Sequence, residues 1–377
     1  MKILLLTYEY PPFHGGVATY LSNLMNAAPA GVEVVVDVPK AHEHWIMTAW
    51  RQYFKVRKIR PDLIAISHVL PAGYVAFKIN FWFKTPYLVF THGTDILTSR
   101  RSGWKRFWMR FILRHAKFVI ANSRFTASLL REEGIVKVEI IQPAVSIPTS
   151  VTPLNNGVHG RPDNVDPDPV SRYGACFSHT NRRNDNCNGI ISIGRLIPRK
   201  GFDTLIQAMP AIIKEIPDAR LTIIGRGDYY DELIRLAHEL RVETFVDILT
   251  DVDDKKKGEY LAMSALFALA ARKVGDDIEG FGIVTLEASA AGLPVVVTNS
   301  GGSAEPVVDN VTGIIAPSND PATLAAIIMR LLKNKDEAAK LGAAGQKHVA
   351  EEYSISVIAK RFWSTVIPNR SGGSQRL

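Results

Sequence analysis

The stretch IEGFGIVTLEASAAGLPVVVTNSGG, residues 278–302, sets two carboxylates, Glu279 and Glu287, with seven residues between them. Gly282 closes a loop, IVTLEASAAG reads as a short helix, and Gly292 with Pro294 ends it. PVVVTN follows at once as a short apolar strand. A helix that hands over directly to a buried strand belongs to a β–α–β unit, in which the strands run parallel.

The same alternation extends outward in both directions. Behind and ahead of this stretch, GIISIG (189–194), RLTIIG (220–225), FVDIL (245–249), ALFALAA (265–271) and TGIIAP (312–317) are apolar runs separated by helical patterns such as Thr204–Glu215 and Asp231–Leu240. In the front half the runs are KILLLT (2–7), EVVVDV (33–38), DLIAIS (62–67), YLVFTH (87–92), FVIANS (118–123) and VEIIQP (138–143), with helical patterns at Val17–Ala28 and Thr126–Gly134. Continuous apolar strands bounded by turn residues are the mark of a parallel sheet buried on both faces. The chain is therefore predicted to be α/β, with two tandem Rossmann-like doubly wound parallel-sheet domains and an interdomain cleft. Pro, Asn, Asp and Gly crowd residues 144–188, which break the alternation. The expected boundaries are an N-terminal domain over 1–150, a linker or surface insert over 151–187, a C-terminal domain over 188–355, and a C-terminal helix over 356–377 crossing back to the first domain.

Composition narrows the class. At 377 residues the chain exceeds one ordinary core, and 46% apolar with 22% charged residues is usual for a globular protein. No run of 18 uncharged apolar residues is present, and MKILLLTYEYPPF reads as a buried first strand rather than a signal peptide. The two cysteines, Cys176 and Cys187, form no zinc-ligand pattern and are read as incidental thiols. Residues 1–150 carry 19 Lys and Arg against 9 Asp and Glu, whereas the remaining 227 carry 26 against 28. That asymmetry points to an anionic partner for the front half.

Four constellations bear on chemistry. Gly15 and Gly16 precede a helix after a Pro-rich loop, so backbone and helix N-terminus can approach a phosphate; the plain alternative is a turn. Arg195 and Lys200, in GRLIPRKG, follow a strand and suit a diphosphate, or form a solvated basic loop. His92, in THGTDI, ends a strand and can donate to a substrate hydroxyl, or be structural. The helix after Gly282 presents the N–H groups of Ile283 and Val284, with Glu287 one turn inside and Glu279 before it. Two carboxylates accepting from hydroxyls, with a positive helix end between them, match a sugar–diphosphate–nucleoside. Neither G-x-G-x-x-G nor a Walker-type loop occurs, which disfavours a dinucleotide or P-loop enzyme.

Taken in order, PPFHGG, THGTDI, GRLIPRKG and the Glu-x7-Glu stretch resemble the retaining, nucleotide-sugar-dependent glycosyltransferases of the GT-B fold, family four, over nearly the whole chain. The resemblance implies an acceptor-binding first domain and a nucleotide-sugar-binding second. It implies that Gly15 and Gly16 approach the donor diphosphate and that Arg195 and Lys200 neutralise it as it leaves. It places the amides of Phe281, Gly282, Ile283 and Val284 on the sugar and phosphates, Glu287 on the ribose, Glu279 on the transferred sugar and His92 near the anomeric carbon. The implied donor is a UDP-, GDP- or ADP-sugar, with no further cofactor and no metal, and a front-face displacement gives retention. The chain departs from the family at the linker, where QPAVSIPTS leads into the long insert.

The most basic segment, SRRSGWKRFWMRFILRHAKF (99–118), puts Trp104, Phe107, Trp108 and Phe111 on one helical face beside Arg100, Arg101, Lys105 and Arg106. This is the composition of a membrane-interface helix; the common alternative is a helix docked on the sheet with its basic face in water. The expected partners are a nucleotide diphosphate sugar, a saccharide or lipid-linked acceptor and an anionic membrane surface, without nucleic acid. The expected location is cytoplasmic, peripheral on the inner face of the cell membrane, in cell-surface glycan synthesis. A sugar-nucleotide epimerase or a non-catalytic nucleotide-sugar sensor on the same fold are the alternatives.

Overall fold

A computed structural model describes residues 1–11, 15–39, 45–147 and 188–367. The insert expected over 151–187, with Cys176 and Cys187, lies outside the described residues. The chain divides into two compact units: Met1–Val145, Gly275–Ile283 and Glu352–Leu377 form the first, Ser146–Val274 and Val284–Glu351 the second.

The first unit is built on β1 (Lys2–Leu6), β2 (Glu33–Asp37), β3 (Leu63–Ile66), β4 (Tyr87–Thr91), β5 (Phe118–Ala121) and β6 (Glu139–Ile140), in the order β2-β1-β3-β4-β5-β6. Every pairing is parallel. The helices are α1 (Gly16–Asn26), α2 (Trp45–Ile59), α3 (Ala72–Phe83), α4 (Thr94–Arg100), α5 (Gly103–His115) and α6 (Arg124–Glu132). β3 and β4 are buried along their whole length because helices cover both faces. On one face Ala49, Val56, Val75, Ile79, Met109 and Ile112 of α2, α3 and α5 meet Ile64, Ile66 and Val89.

The second unit repeats the plan with β7 (Gly189–Ile193), β8 (Arg220–Ile224), β9 (Val246–Leu249), β10 (Leu266–Leu269), β11 (Val295–Thr298) and β12 (Ile314–Ala316), ordered β12-β11-β10-β7-β8-β9 and again all parallel. Its helices are α7 (Phe202–Glu215), α8 (Tyr230–Glu239), α9 (Asp254–Met263), α10 (Ile283–Ala290), α11 (Pro321–Lys333) and α12 (Lys335–Glu352). Asp320 and Pro321 start α11 by complementary means: the Asp320 carboxylate accepts from the Thr323 amide at 2.9 Å, and Pro321 lacks a donor the first turn would leave unused. In each sheet the strand order reverses once, beside β1 in the first and β7 in the second. At such a reversal the loops leaving the strand carboxyl ends diverge and open a crevice. The loops after β1, β3 and β4 in the first sheet, and after β7 and β10 in the second, are thereby the places to look for a site.

The other face of the first sheet is covered by α1 and by α13 (Ile355–Val366), which follows the second unit in sequence. Phe362 is fully buried there, stacked on Phe90 with ring centroids 5.6 Å apart, and Trp363 donates its indole N–H to the Leu24 carbonyl at 3.2 Å. Phe362→Ala is expected to destabilise the first unit by about 3–5 kcal/mol in urea denaturation, through lost burial and a residual cavity. A loss below 1 kcal/mol (~1) would mean that the α13 contact is dispensable to this core.

Candidate active site

In the first unit, the loop Gly275–Ile283 lies against the end of β4. A Cβ on Gly280 would come within 2.5 Å of the His92 carbonyl oxygen, so only bare backbone fits there. Glu279 is 8% exposed, beside that contact, and Phe281 is buried against Tyr353 with centroids 6.0 Å apart. Gly282 adopts φ +81°, a conformation that favours glycine, and turns the chain into α10. Gly16 packs toward the same loop: a Cβ there would lie 3.2 Å from Ile283 Cδ1. His92, Glu279, Phe281, Gly282, Ile283, Gly15 and Gly16 thus gather in one unit at the carboxyl side of its sheet.

The His92 ring is fixed by its surroundings. Its Nε2 lies 2.9 Å from the Ser67 carbonyl oxygen, which can only accept, so Nε2 carries the proton and Nδ1 is an acceptor. The expectation that His92 donates to a substrate hydroxyl is corrected on this point: the donor nitrogen is already committed to backbone. Burial pushes the His92 pKa down to about 3, His68 adds to the shift, and the Ser67 bond opposes it. The imidazole is neutral at physiological pH. His68 sits 5.3 Å from His92 between ring centroids, accepts or donates with Ser67 Oγ at 2.9 Å, and has Glu9 Oε1 3.9 Å from its Nε2. Asp95 Oδ1 accepts from the amides of His92 at 3.1 Å and Ile96 at 3.0 Å. Burial raises the Asp95 pKa, opposed by His68 and by these amides. Glu9 and His68 escaped the sequence reading; their signal was position, since both directly follow strands of the first sheet.

In the second unit, Arg195 and Lys200 follow β7. Arg195 is exposed, and Lys200 is 7% exposed, its side chain laid along Gly194 so that a Cβ on that glycine would meet Lys200 Cε at 3.2 Å. The short 3₁₀ turn Pro198–Lys200 ends at Gly201, with φ +67°. A Cβ there would be 1.8 Å from the Ala270 carbonyl oxygen, at the end of β10. This pins the basic loop to the strand from which the Glu279 loop departs. Val284 continues α10, whose first amides lack intrahelical partners. Glu287 of α10 is not a solitary acceptor: Lys257 of α9 pairs with it at 3.1 Å. Burial opposes a charged Lys257, but Glu287 and Asp254 outweigh it and raise its pKa.

The basic segment divides its cations. Glu133, 1% exposed in its side chain, is surrounded by Arg100, Arg106 and Arg110, each 2.8 Å away. These guanidiniums hold the Glu133 carboxyl below its ordinary range, against the opposing effect of burial. Arg101 pairs with Asp276 at 2.9 Å. Trp104, Phe107, Trp108 and Phe111 do share one face of α5, with neighbouring centroids 5.5–6.2 Å apart, and Lys105 is exposed beside them.

Two all-parallel six-stranded sheets, each with one reversal of strand order, make the GT-B fold. Residues 29–147 match Glycosyltransferase Family 4 and residues 178–348 match glycosyl transferases group 1. The chain is 41% identical, over 96% of both chains, to the GDP-mannose-dependent monoacylated alpha-(1-6)-phosphatidylinositol monomannoside mannosyltransferase of Corynebacterium glutamicum. It is 28% identical, over 96% of its length and 97% of the relative, to the GDP-mannose-dependent alpha-(1-6)-phosphatidylinositol monomannoside mannosyltransferase of Mycobacterium tuberculosis. Anabaena HepE, solved in complex with UDP, superposes with a TM-score of 0.75 at 20% identity, over 97% of this chain and 99% of that one. The chain belongs to the family 4, group 1 glycosyltransferases.

A neutral buried His92 ties stability to pH. Its folded pKa of about 3 lies below the ordinary 6.5, so unfolding takes up a proton between those values, and stability falls as pH is lowered through that window. The slope from this group is at most ~1.4 kcal/mol per pH unit. Urea denaturation at about pH 7 and about pH 4.5 is expected to show a smaller acid loss for His92→Asn than for the parent. Equal losses would show that the ring is already charged in the folded protein.

Proposed function

We propose that this chain is a retaining hexosyltransferase that moves a sugar from a nucleoside diphosphate donor to a lipid-linked saccharide, in the synthesis of a cell-surface glycolipid. The sequence similarity to mannosyltransferases named for GDP-mannose and phosphatidylinositol monomannoside supports GDP-mannose and a phosphoinositide-type acceptor as the first to test. The observation that carries the reading is Gly280 seated on the His92 backbone, which sets the first acid of the Glu-x7-Glu stretch beside the β4 end.

In this reading Arg195 and Lys200 bind the diphosphate, and the amides of Phe281, Gly282, Ile283 and Val284 add partial positive charge at the start of α10. Gly15 and Gly16 leave space for the donor. Glu287 accepts from the ribose diol while Lys257 fixes its rotamer. Glu279 accepts from the transferred sugar. His92, with its proton held by Ser67, presents Nδ1 as an acceptor for a sugar hydroxyl and adds no charge that would oppose an oxocarbenium-like carbon. The C–O bond to the leaving phosphate breaks as the acceptor oxygen bonds the same face. The departing phosphate oxygen takes the acceptor proton, and the configuration is retained. The protein's share is stabilisation of the charge on the leaving diphosphate. A lipid-linked acceptor together with a nucleoside diphosphate sugar donor supports a location on the inner face of the membrane.

Lys200→Ala is expected to lower kcat by about 10²–10³, and Glu279→Gln to lower turnover without abolishing nucleotide binding. Both are read by mannose transfer from GDP-mannose to a phosphatidylinositol monomannoside, with α-configuration of the product checked by NMR. In a thermal-shift panel of GDP, UDP and ADP, the cognate nucleotide raises Tm by RT ln(1 + [L]/Kd) expressed in temperature. Nucleotide binding without turnover of any sugar nucleotide would favour a sensor, and a product of inverted configuration would overturn retention.

A further inference from the structure

In the second unit the exit of β10 grips the basic loop that follows β7. The Arg272 guanidinium meets the Asp203 carboxylate through two bonds, Nη1 to Oδ1 at 2.8 Å and Nη2 to Oδ2 at 2.6 Å, and Nη1 also reaches Thr204 Oγ1 at 3.1 Å. The two side chains are 16% and 13% exposed, so solvent and salt screen the pair little. Such a contact fixes direction as well as distance, because a planar fork matches a planar carboxylate. Asp203 stands in the first turn of α7, where the positive helix end also favours its charge.

The backbone makes a second hold. The Arg272 amide donates to the Arg199 carbonyl at 2.8 Å. Arg199 precedes Lys200 and Asp203 follows it, so Arg272 grips the loop on both sides of that lysine. Tyr229, after β8, repeats the device: its amide donates to the Leu196 carbonyl at 3.1 Å and its hydroxyl to Asp203 Oδ2 at 3.3 Å. Arg272 is backed in turn by Ala271, whose carbonyl accepts from the hydroxyls of Thr298 and Ser318. Within the turn Pro198–Lys200 the backbone is tied by Lys200 to the Ile197 carbonyl at 3.1 Å and by Gly201 to the Pro198 carbonyl at 3.2 Å. A 3₁₀ turn this short takes its orientation from what surrounds it.

We infer that Asp203 and Arg272 are positioning residues for a nucleoside diphosphate: their ion pair holds the Pro198–Lys200 turn in the orientation that aims Lys200 at the diphosphate, and Arg272 does not itself bind the donor. The inference rests on the proposed function, in which Arg195 and Lys200 receive that group. The competing use of the same charges makes Arg272 a further phosphate ligand and Asp203 its counter-ion. The geometry favours the first use, because both terminal nitrogens of Arg272 are committed to Asp203 in a nearly dry contact. Lys200 is then the moving part and the ion pair its fixed mount: the lysine side chain lies along Gly194, and its direction follows from where the turn beneath it is held.

Calorimetric titration of the full chain with GDP, UDP and ADP, each beside its monophosphate, tests this without any transfer reaction. Arg272→Lys keeps a cation beside Asp203 but cannot make the forked contact. It is expected to raise the Kd of the diphosphate the parent binds about tenfold, and that of the monophosphate less than about twofold. Asp203→Asn separates the two uses of the charge. Positioning predicts a diphosphate complex about tenfold weaker, whereas a phosphate-binding Arg272 freed from its counter-ion predicts a tighter one, and tighter binding overturns the inference. In a Lys200→Ala background, Arg272→Lys is expected to change the diphosphate Kd less than about twofold, because a residue acting through Lys200 has nothing left to aim. Additive losses would show that Arg272 acts elsewhere, and parent-like diphosphate affinity in folded Arg272→Lys overturns the inference outright. Circular dichroism checks that each variant is folded; Arg272→Lys leaves no buried charge unpaired and carries the test should Asp203→Asn unfold. A parent that binds none of the three diphosphates removes the proposed function, and this inference with it, whereas a parent that binds one and variants that match it remove the inference alone.

Discussion

Bare backbone at the carboxyl ends of the strands is the constraint on which this architecture rests. In the second unit Gly201 faces the Ala270 carbonyl oxygen so closely that a Cβ would sit 1.8 Å from it, and Gly225 faces the Gly194 carbonyl oxygen at the same distance. In the first, Gly280 occupies the corresponding place against His92. Strand-end loops that approach this closely leave amides and short turns exposed at the carboxyl side of each sheet, beside His92 and Glu279 in the first unit and beside Lys200 in the second. A parallel sheet makes such crowding inevitable, because every connection leaves from one edge and returns to the other.

Burial then decides the electrostatics of the groups held there. His92 is kept neutral because burial disfavours the charged ring and a second imidazole lies nearby, and these outweigh the Ser67 carbonyl, which favours the proton. Glu133 shows the opposite solution: a buried carboxylate stays charged because three guanidiniums converge on it. The two cases separate chemistry from scaffolding in the same unit. One group is left with a lone pair to offer, and the other has its charge satisfied internally.

The strand pattern was legible because buried parallel strands are unbroken apolar runs. KILLLT, YLVFTH and GIISIG each became a strand within a residue or two of the run. VEIIQP shrank to Glu139–Ile140 because an edge strand has one partner to pair with and Pro143 follows. The positions of His92, Arg195, Lys200 and the Glu279 loop at strand ends were equally readable, since motif order and strand order coincide. What sequence did not disclose were partnerships across long separations. Lys257 lies in a DDKKKGE run that looks like a solvated helix face, yet it holds Glu287, thirty residues on. The arginines of α4 and α5 look available for an external anion until Glu133 arrives from α6. The outward-facing aromatics of α2 resemble an ordinary amphipathic core stripe, and only packing reveals which side faces the sheet.

The return of the chain from the second unit to complete the first has a consequence for synthesis. Phe90, Leu24 and Tyr20 belong to the earliest part of the polypeptide, whereas Phe362 and Trp363, which roof them, are translated after the second unit. On the ribosome the first sheet therefore waits with one apolar face covered by α1 alone while more than half the protein is made. The order of manufacture thus runs against the order of assembly, and the nascent sheet is left dependent on whatever shields oily surface until its own late helix arrives.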